Sequence, residues 1–190
     1  MTAQPQPLAE RQSAASAAGH SSDAAPIRAT VSFETFYERE LRSVIGLAYA
    51  LSGSRSAAED LAQEAFLAAH KSWGKVGRYE KPEAWVRRVV ANLSVSRFRR
   101  SVREARAMAR LKPQESYLPA LPAEDEVFWK EVRALPKRQA QAIALFYLED
   151  RSVADIAEIL ECAENTVKVH LFKGRARLSE RLGFDEEVTA

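Results

Sequence analysis

The residues best suited to reading nucleic acid lie near the C-terminus, in the stretch NTVKVHLFKGRARL at Asn165–Leu178. Val167, Leu171 and Leu178 recur at spacings of four and seven residues, which predicts a helix with one apolar, inward face. Lysine and arginine donate to guanine in the major groove, and apolar side chains contact the thymine methyl group. The outer side of this helix carries residues suited to both roles: Thr166, Lys168, Val169, His170, Phe172, Lys173 and Arg175.

A shorter apolar helix, SVADIAEIL at Ser152–Leu160, precedes this one and is separated from it by a short turn. Ile156, Ala157 and Leu160 form its inward face. Two such helices are typical of a helix-turn-helix, whose second helix enters the major groove. The alternative is an ordinary packed pair of helices with a solvated basic face. We favour DNA recognition because two separate basic blocks of the chain coincide with helical patterns.

The other basic block is Lys71–Lys112, where thirteen basic and three acidic residues give a net charge of +10 in a chain whose total is +2. Cations follow a nucleic-acid backbone while rings or pockets hold unstacked bases. A loop with Tyr79 and a helix with Trp85 and Asn92 therefore suit single-stranded or melted DNA, although core packing is the preferred interpretation of Trp85 alone. The helix is predicted to carry six arginines outward: Arg87, Arg88, Arg97, Arg99, Arg100 and Arg103.

A third surface lies on the helix SAAEDLAQEAFLAAHKSW at Ser56–Trp73. Ser56 and Glu59 form a capping-box pattern that predicts where this helix starts. Its buried stripe is predicted to hold Leu61, Ala65, Phe66 and Leu67, and its outer side to hold Asp60, Gln63 and Glu64. The outer side is suited to binding a protein, but from spacing alone a solvated helix face is the preferred interpretation.

Composition argues against several other classes of protein. The single cysteine, Cys162, excludes an internal disulfide, and without a Cys/His cluster we predict no metal site. No apolar run approaches the ~18–20 residues needed to cross a bilayer, and Met1–Thr30 lacks the basic start and apolar core of a signal peptide. We therefore expect a cytoplasmic protein with no catalytic site and no cofactor.

Helical periodicity runs through the chain, and no alternating strand pattern of useful length is found. We predict an all-α protein of two small helical domains joined by a proline-containing linker, the C-terminal domain being a helix-turn-helix. The predicted segments are a disordered tail at 1–30, the first domain at 31–110, the linker at 111–123, the second domain at 124–183 and a C-terminal tail at 184–190. Prolines mark the linker because they remove amide donors and restrict φ.

Serine, glycine and proline residues predict the helix boundaries. Ser32 is the expected cap of the first helix and Gly53 its stop. The glycine-containing stretch before Pro82 is predicted to be a loop, and Pro82 to begin a helix that runs to Arg110. The helices of the second domain are predicted at 125–135, 137–147, 152–160 and 165–182.

Three stretches in this order resemble the extracytoplasmic-function (ECF) sigma factors, the compact two-domain branch of the sigma-70 family. Asp60–Trp73 resembles the segment that binds core RNA polymerase, Trp85–Arg100 the segment that melts and reads the −10 element, and Ser152–Leu178 the −35-reading helix-turn-helix. The resemblance spans roughly Phe33–Leu182 and is specific because all three stretches occur in order around a proline-bearing linker.

The resemblance implies site residues and partners. The resemblance implies that five residues dock on the clamp coiled coil of the large polymerase subunit: Asp60, Leu61, Gln63, Glu64 and Phe66. The resemblance implies nine contacts with the −10 element, some of them in a loop that holds a flipped base: Val76, Gly77, Arg78, Tyr79, Arg87, Arg88, Asn92, Arg99 and Arg100. The −35 contacts fall to the seven outer residues of the last helix. The implied partners are core RNA polymerase, promoter DNA (duplex at −35 and melted at −10) and an anti-sigma factor.

The chain also differs from the family's usual pattern. Val76 stands where many members carry an aromatic ring, and Lys173-Gly174 stands where Arg-Ala is common. These differences imply a promoter sequence unlike that of well-known members.

The predicted function is therefore that of an alternative-type sigma factor, which binds core RNA polymerase and directs promoter recognition and melting. One alternative is a stand-alone helix-turn-helix regulator, which needs a dimerisation surface and a palindromic site. No long heptad seam supports that alternative. Another is a helical adaptor whose main partner is a protein.

Overall fold

The computed structural model describes residues 31–105 and 123–183, with side-chain environments for 31–94 and 126–183. The described residues form eight α-helices and no strand, in agreement with the predicted all-α class. The helices are α1 Phe33–Ser52, α2 Arg55–Lys71, α3 Trp73–Val76, α4 Pro82–Ala105, α5 Ala123–Arg133, α6 Lys137–Tyr147, α7 Val153–Leu160 and α8 Glu164–Leu182. The predicted tails at 1–30 and 184–190, and all of the linker except Ala123, lie outside the described residues.

Serine caps begin three of these helices. Ser32 Oγ accepts a hydrogen bond from the Thr35 amide at 3.2 Å, and Ser152 Oγ accepts one from the Asp155 amide at 3.1 Å. The predicted Ser56–Glu59 capping box is wrong, because Ser54 is the N-cap of α2 and accepts from the Ala57 amide. Ser54 has the extended backbone that a cap requires, which leaves Ser56 inside the first turn.

We call α1–α4 the N-terminal module, because these helices pack around one apolar centre. Phe36, Val44 and Leu47 of α1 are fully buried against Leu61 of α2 and Val86 of α4. Aromatic rings close one end of this centre. The Phe36 ring lies 4.9 Å from that of Trp73 and 6.2 Å from that of Phe66, measured between centroids. The stretch predicted as a loop before Pro82 therefore contains a short helix, α3, whose tryptophan packs on this cluster.

We call α5–α8 the C-terminal module, in which α6 lies at the centre and α8 packs across it. Ile156, Leu160, Val167, Leu171 and Leu178 are buried, as their helical spacing predicted. Gly174 is also buried, at the crossing of α8 with α6. A Cβ at position 174 would lie only 3.0 Å from Ile143 Cγ1, so the glycine permits the close approach of these two helices.

The two modules pack against each other in this structure. Helix α1 contacts α5 and α6, and α4 contacts α7. Polar groups cross the seam: Gln141 Nε2 donates to the Ala91 carbonyl at 2.7 Å, and Tyr49 Oη donates to Glu126 Oε2 at 3.2 Å. This packing determines which of the predicted site residues reach solvent.

Candidate nucleic-acid and polymerase interfaces

The outer side of α8 is open to solvent, as the sequence predicted. Phe172 is 72% exposed and Val169 is 47% exposed, so this face presents two large apolar side chains to solvent. Four polar or basic neighbours are exposed beside them: Thr166, Lys168, Lys173 and Arg175. This combination of cations and apolar side chains is suited to phosphates and to base edges in a major groove.

His170 is the half-buried member of this surface. Burial is the largest cause that lowers the pKa of its imidazole, and the nearby charges of Arg138 and Lys173 lower that pKa further. Arg138 belongs to α6 and is exposed, so it extends the positive surface beyond α8. Sequence analysis missed Arg138 because only the fold brings α6 beside the last helix.

Arg175 is held by aromatic rings of α6. Its guanidinium carbon lies 5.0 Å from the Phe146 ring centroid and 5.5 Å from that of Tyr147. Such cation–π contacts restrict a long side chain that would otherwise sample many rotamers. Arg175 therefore reaches the groove-facing surface from a preset position.

The predicted −10 loop divides into exposed and buried residues. Arg78 and Tyr79 are exposed and Gly77 is half-buried, which suits contact with an extruded base. Val76 is only 1% exposed, so its assignment as a DNA contact is wrong in this conformation. The residue ends α3, and its side chain points into the core of the N-terminal module instead of the loop.

A cleft of about 320 Å³ adjoins this loop. It is lined by Tyr79, Glu80, Lys81, Trp85 and Arg88 of the N-terminal module and by Glu158 of α7. Trp85 is half-buried and packs against the core, which agrees with the interpretation preferred from the sequence. A flipped-base site in this cleft remains a prediction, and Glu158 of the other module lies at its edge.

Arg87 is not an outward arginine. Its side chain is 1% exposed and forms ion pairs with Glu40 at 2.8 Å and with Glu149. It also donates to Ser43 Oγ and to the Glu83 carbonyl, each at 3.2 Å. Burial alone would lower the pKa of the guanidinium, but the two carboxylates outweigh it and the pKa lies above its ordinary value. The prediction of an exposed DNA contact at this position is wrong for the closed arrangement.

Arg88 and Lys81 also contact the C-terminal module. Arg88 Nη1 pairs with Glu161 at 2.8 Å, and its other nitrogens donate to the carbonyls of Glu158 and Ile159. Lys81 Nζ lies 2.5 Å from Asp155 and 3.4 Å from Glu158. The hydrogen bond that Lys81 donates to Asp155 is the largest cause that raises the pKa of Lys81 above its ordinary value.

The remaining −10 residues lie along α4. Asn92 is exposed. Arg99 and Arg100 lie on the helical backbone of α4, but their side chains are outside the described residues.

The predicted polymerase-docking set also divides by burial. Asp60, Gln63 and Glu64 are exposed on α2. Leu61 and Phe66 are 0% and 2% exposed, so their assignment as docking contacts is wrong here. Both side chains pack in the core of the N-terminal module, where the Phe66 ring lies edge-on to the Tyr37 ring with their centroids 4.8 Å apart.

Leu67 is the apolar residue that this face does present. It is 54% exposed, although the sequence placed it in the buried stripe. Positions 60, 63, 64 and 67 follow the i, i+3, i+4, i+7 spacing of one helix face, although the docking role was expected from the family resemblance and its set did not include Leu67. The exposed face of α2 therefore combines polar residues with one large apolar side chain.

Metal-ligand groups and membrane-spanning helices can be assessed for the described part of the chain. Residues 31–105 and 123–183 contain no group of three or more His, Cys, Asp or Glu side chains that would hold a metal ion. In the same ranges, no helix is long and apolar enough to span a membrane.

Comparison with known proteins connects these surfaces to a family. The family model "Sigma-70 region 2" matches residues 36–104, and the model "Sigma-70, region 4" matches residues 126–178. The ECF RNA polymerase sigma factor SigM of Mycobacterium tuberculosis is 29% identical over 157 residues, which are 80% of this chain and 78% of SigM. The ECF RNA polymerase sigma factor EcfG of Rhodopseudomonas palustris is 31% identical over 151 residues, which are 75% of this chain and 81% of EcfG.

A solved structure supports the same relationship. The sigma factor RpoE from Bartonella quintana, determined in complex with the anti-sigma factor NepR, is 28% identical with a TM-score of 0.62. The similarity covers 81% of this chain and 98% of the matched chain. Both sigma-70 regions are present in order, and EcfG is 31% identical over 81% of its own length, so the chain belongs to the ECF family of RNA polymerase sigma factors.

Proposed function

We propose that this sigma factor divides promoter recognition between its two modules. Helix α8 holds the duplex −35 element, α4 with the loop before it captures the melted −10 strand, and the exposed face of α2 docks on core RNA polymerase. The reaction that makes RNA belongs to polymerase, so this chain contributes binding energy and specificity and no catalytic group. Because polymerase and promoter DNA occupy the cytoplasm, the protein acts there.

The exposed face of α8 is the observation that carries the proposal. Lys168, Lys173 and Arg175 remain exposed although the two modules are packed together. Phe172 is 72% exposed among these cations, so the same face offers an apolar ring beside positive charges. The arrangement fits a groove in which the cations meet phosphates or guanine and the phenyl ring meets a thymine methyl.

Binding through two modules explains how weak contacts select a promoter. Unstacking a base costs a few kcal/mol, so a pocket that accepts only certain bases converts this cost into specificity. Once one module is bound, the other is held at a high effective concentration beside its own site. We expect the free protein to bind promoter DNA weakly, and tight sequence-specific binding without polymerase would contradict this expectation.

Run-off transcription with core RNA polymerase and a library of upstream sequences tests the −35 assignment. Lys173→Ala and Phe172→Ala should each reduce start-site selection from the preferred promoters while polymerase binding is retained. Glu180→Gln is the control, because it changes an exposed residue of α8 that lies about two turns beyond Lys173 and outside the seven predicted contacts. If wild-type protein confers no start-site choice on core polymerase, the proposed function is wrong.

Pull-down of core polymerase tests the docking face. The double variant Asp60→Ala, Gln63→Ala should lose most binding, and Leu67→Ser should weaken it independently. Gln63 and Leu67 are exposed, so the variants should remain folded, which circular dichroism would confirm. Full retention of polymerase by the double variant would remove the assignment of this face.

We also propose that an anti-sigma protein regulates this chain, by analogy with RpoE, whose structure contains NepR. Such a partner would cover the exposed face of α2 or of α8. Co-purification from the native host before and after stress would identify it, and a chain that is never sequestered would contradict this proposal.

A further inference from the structure

A second cleft, of about 630 Å³, lies apart from the three proposed interfaces. Most of its wall comes from the C-terminal module: the end of α5, the start of α6 and the last two turns of α8. Leu51 of α1 and Ser94 of α4 add the rest. None of its lining residues belongs to the predicted polymerase, −10 or −35 contacts, so the proposed function leaves this cleft without a role.

The charged side chains that line the cleft are all basic. Arg133 ends α5, Lys137 begins α6, and Arg177 and Arg181 lie about one turn apart on α8. Among the described residues that form the wall, none is an aspartate or a glutamate. A cleft lined by one sign of charge concentrates counter-ions, because its low-dielectric walls focus the field. The cleft therefore favours an anionic ligand.

Two of these arginines keep donors available for such a ligand. Arg177 Nη1 donates to the neutral side chain of Gln139 at 2.5 Å, and within the described part of the chain Arg177 pairs with no carboxylate. Arg133 Nη2 pairs with Glu126 at 2.7 Å, but Arg133 Nη1 is buried and has no hydrogen-bond partner among the described residues. A buried donor without an acceptor costs free energy, which a bound anion would recover. Guanidinium groups suit phosphate in particular, because they donate two parallel hydrogen bonds to it.

The start of α6 adds a partial positive charge at the same place. Pro136, the N-cap residue of this eleven-residue helix, lines the cleft and makes no side-chain hydrogen bond to the helix amides. The amide end of a helix attracts anions, because its peptide dipoles are aligned. The helix terminus therefore favours the same kind of ligand as the four cations.

The rest of the wall is apolar. Leu51, Leu135, Pro136 and Ala140 line it, and Leu135 and Ala140 are buried. The volume falls within the range of about 300–1,000 Å³ that is typical of small-molecule sites. A phosphate ion alone would leave most of this volume and all of the apolar wall unused. The cleft thus fits a ligand that joins a short polyanion to an uncharged ring.

We propose that this cleft binds a nucleoside triphosphate. The phosphates lie among Arg133, Lys137, Arg177 and Arg181, and the base lies against the apolar wall. Nucleoside triphosphates combine several phosphates with a flat aromatic ring, which is the chemistry that the two parts of the wall require. The site goes beyond the proposed function, because it takes a small ligand and shares no residue with the polymerase and promoter contacts.

Isothermal titration calorimetry of the full chain with ATP and with GTP tests this proposal. Tripolyphosphate is the probe for phosphate binding alone. At least one nucleotide should bind several-fold more tightly than tripolyphosphate, because its base adds contact with the apolar wall. The double variant Arg177→Gln, Arg181→Gln should weaken nucleotide binding about tenfold or more, which is the scale of lost hydrogen bonds between charged groups.

The matched control is the double variant Lys168→Gln, Lys173→Gln. It removes the same charge from exposed positions of α8 that do not line the cleft, so nucleotide binding should be retained. Equal losses in the two double variants would show a response to net charge only and would overturn the proposal. Wild-type protein that binds neither nucleotide, or binds tripolyphosphate as tightly, would overturn it too.

An added carboxylate gives a test that leaves the arginines in place. Ala134 is exposed and lines the cleft, so Ala134→Glu should fold, which circular dichroism would confirm. The new carboxylate should repel the phosphates and weaken nucleotide binding. Ala134→Gln occupies similar space without the charge and should retain more affinity. Equal weakening by both substitutions would contradict an anion site.

Photolabelling locates the bound base. An azido derivative of ATP should attach within residues 133–141 of the full chain, and excess ATP should prevent the labelling. Attachment confined to the outer side of α8 would place the nucleotide on the proposed −35 surface and would refute the cleft as its site. None of these measurements involves polymerase or promoter DNA, so their outcome is independent of the proposed function.

Discussion

The two basic surfaces of this sigma factor differ in what surrounds them. The cations on α8 are exposed to solvent, whereas Lys81, Arg87 and Arg88 beside the −10 cleft are paired with carboxylates of the other module. Both surfaces belong to basic blocks of the sequence. The difference shows that the number of basic residues in a segment predicts its affinity for a polyanion but says little about whether the segment is available.

The contrast also separates two ways of positioning an arginine. Arg175 lies over the Phe146 and Tyr147 rings and remains exposed, so its charge is still directed to solvent. Arg87 is buried and has two carboxylate partners. The first arrangement orients a side chain for an external ligand, and the second makes the side chain part of the fold.

The largest expected effect tests this difference through stability. Arg87→Ala removes a cation from the buried carboxylates of Glu40 and Glu149, which retain Arg39 and Arg151 as partners, and should cost about 3 kcal/mol in the free energy of unfolding. Lys173→Ala, on the exposed surface, should change it by no more than about 0.5 kcal/mol. Urea unfolding followed by circular dichroism measures both. Equal small losses would show that the buried ion pairs do not hold the closed arrangement.

An effect of intermediate size is expected when a glycine within a helix of each module is replaced by alanine. In Gly174→Ala the added Cβ meets buried Ile143 at 3.0 Å, so we expect a loss of about 1 kcal/mol after the gain in helix propensity is included. Gly46→Ala in α1 meets nothing within 4 Å and should stabilise the protein by about 0.5–1 kcal/mol. Thermal unfolding of the two variants measures whether each substitution raises or lowers stability. Stabilisation by both substitutions would show that Ile143 can move aside.

The smallest expected effect concerns pH at the exposed surface. Burial and the charges of Arg138 and Lys173 hold the pKa of His170 below its ordinary value, so they disfavour the charged imidazole in the free protein. A DNA phosphate would favour the charged form, so the complex takes up a proton and binding should tighten as pH falls through the pKa of the bound form.

We expect a gain of about two- to fivefold in affinity between pH 8 and pH 6, which is the scale that linkage of one histidine allows. Fluorescence anisotropy with a duplex selected from the run-off library measures it. His170→Gln should remove the pH dependence without removing binding. A pH response that persists in this variant would assign the proton to another group.

Much of the fold follows from local patterns. The bounds of α6 at 137–147 agree with the prediction, because Pro136 excludes an earlier start and apolar periodicity defines the helix. Ser32 and Gly53 were also predicted correctly as the boundaries of α1. Short elements were harder to predict. Helix α3 has four residues, too few to establish a period, and Ser54 and Ser56 are equally good caps until the backbone selects one.

The site was predictable where a helix face needs no long-range partner. The outer residues of α8 were correctly predicted to lie outside, since buried Val167, Leu171 and Leu178 determine the opposite side. Arg87 and Leu67 were predicted on the wrong sides because polarity was used as a guide to exposure. The arginine lies on the inward face of α4, and its partners, Glu40 and Glu149, are 47 and 62 residues away along the chain.

The sequence by itself determined the family, the all-helical class and the outer, basic side of the last helix. These features depend on side chains within a few turns of one another, and short-range periodicity records them. Only the tertiary structure decided that Lys81, Arg87 and Arg88 are paired with carboxylates of residues 149–161. Those pairs depend on how two modules dock across a linker, and contacts between residues more than sixty positions apart leave no local pattern in the sequence.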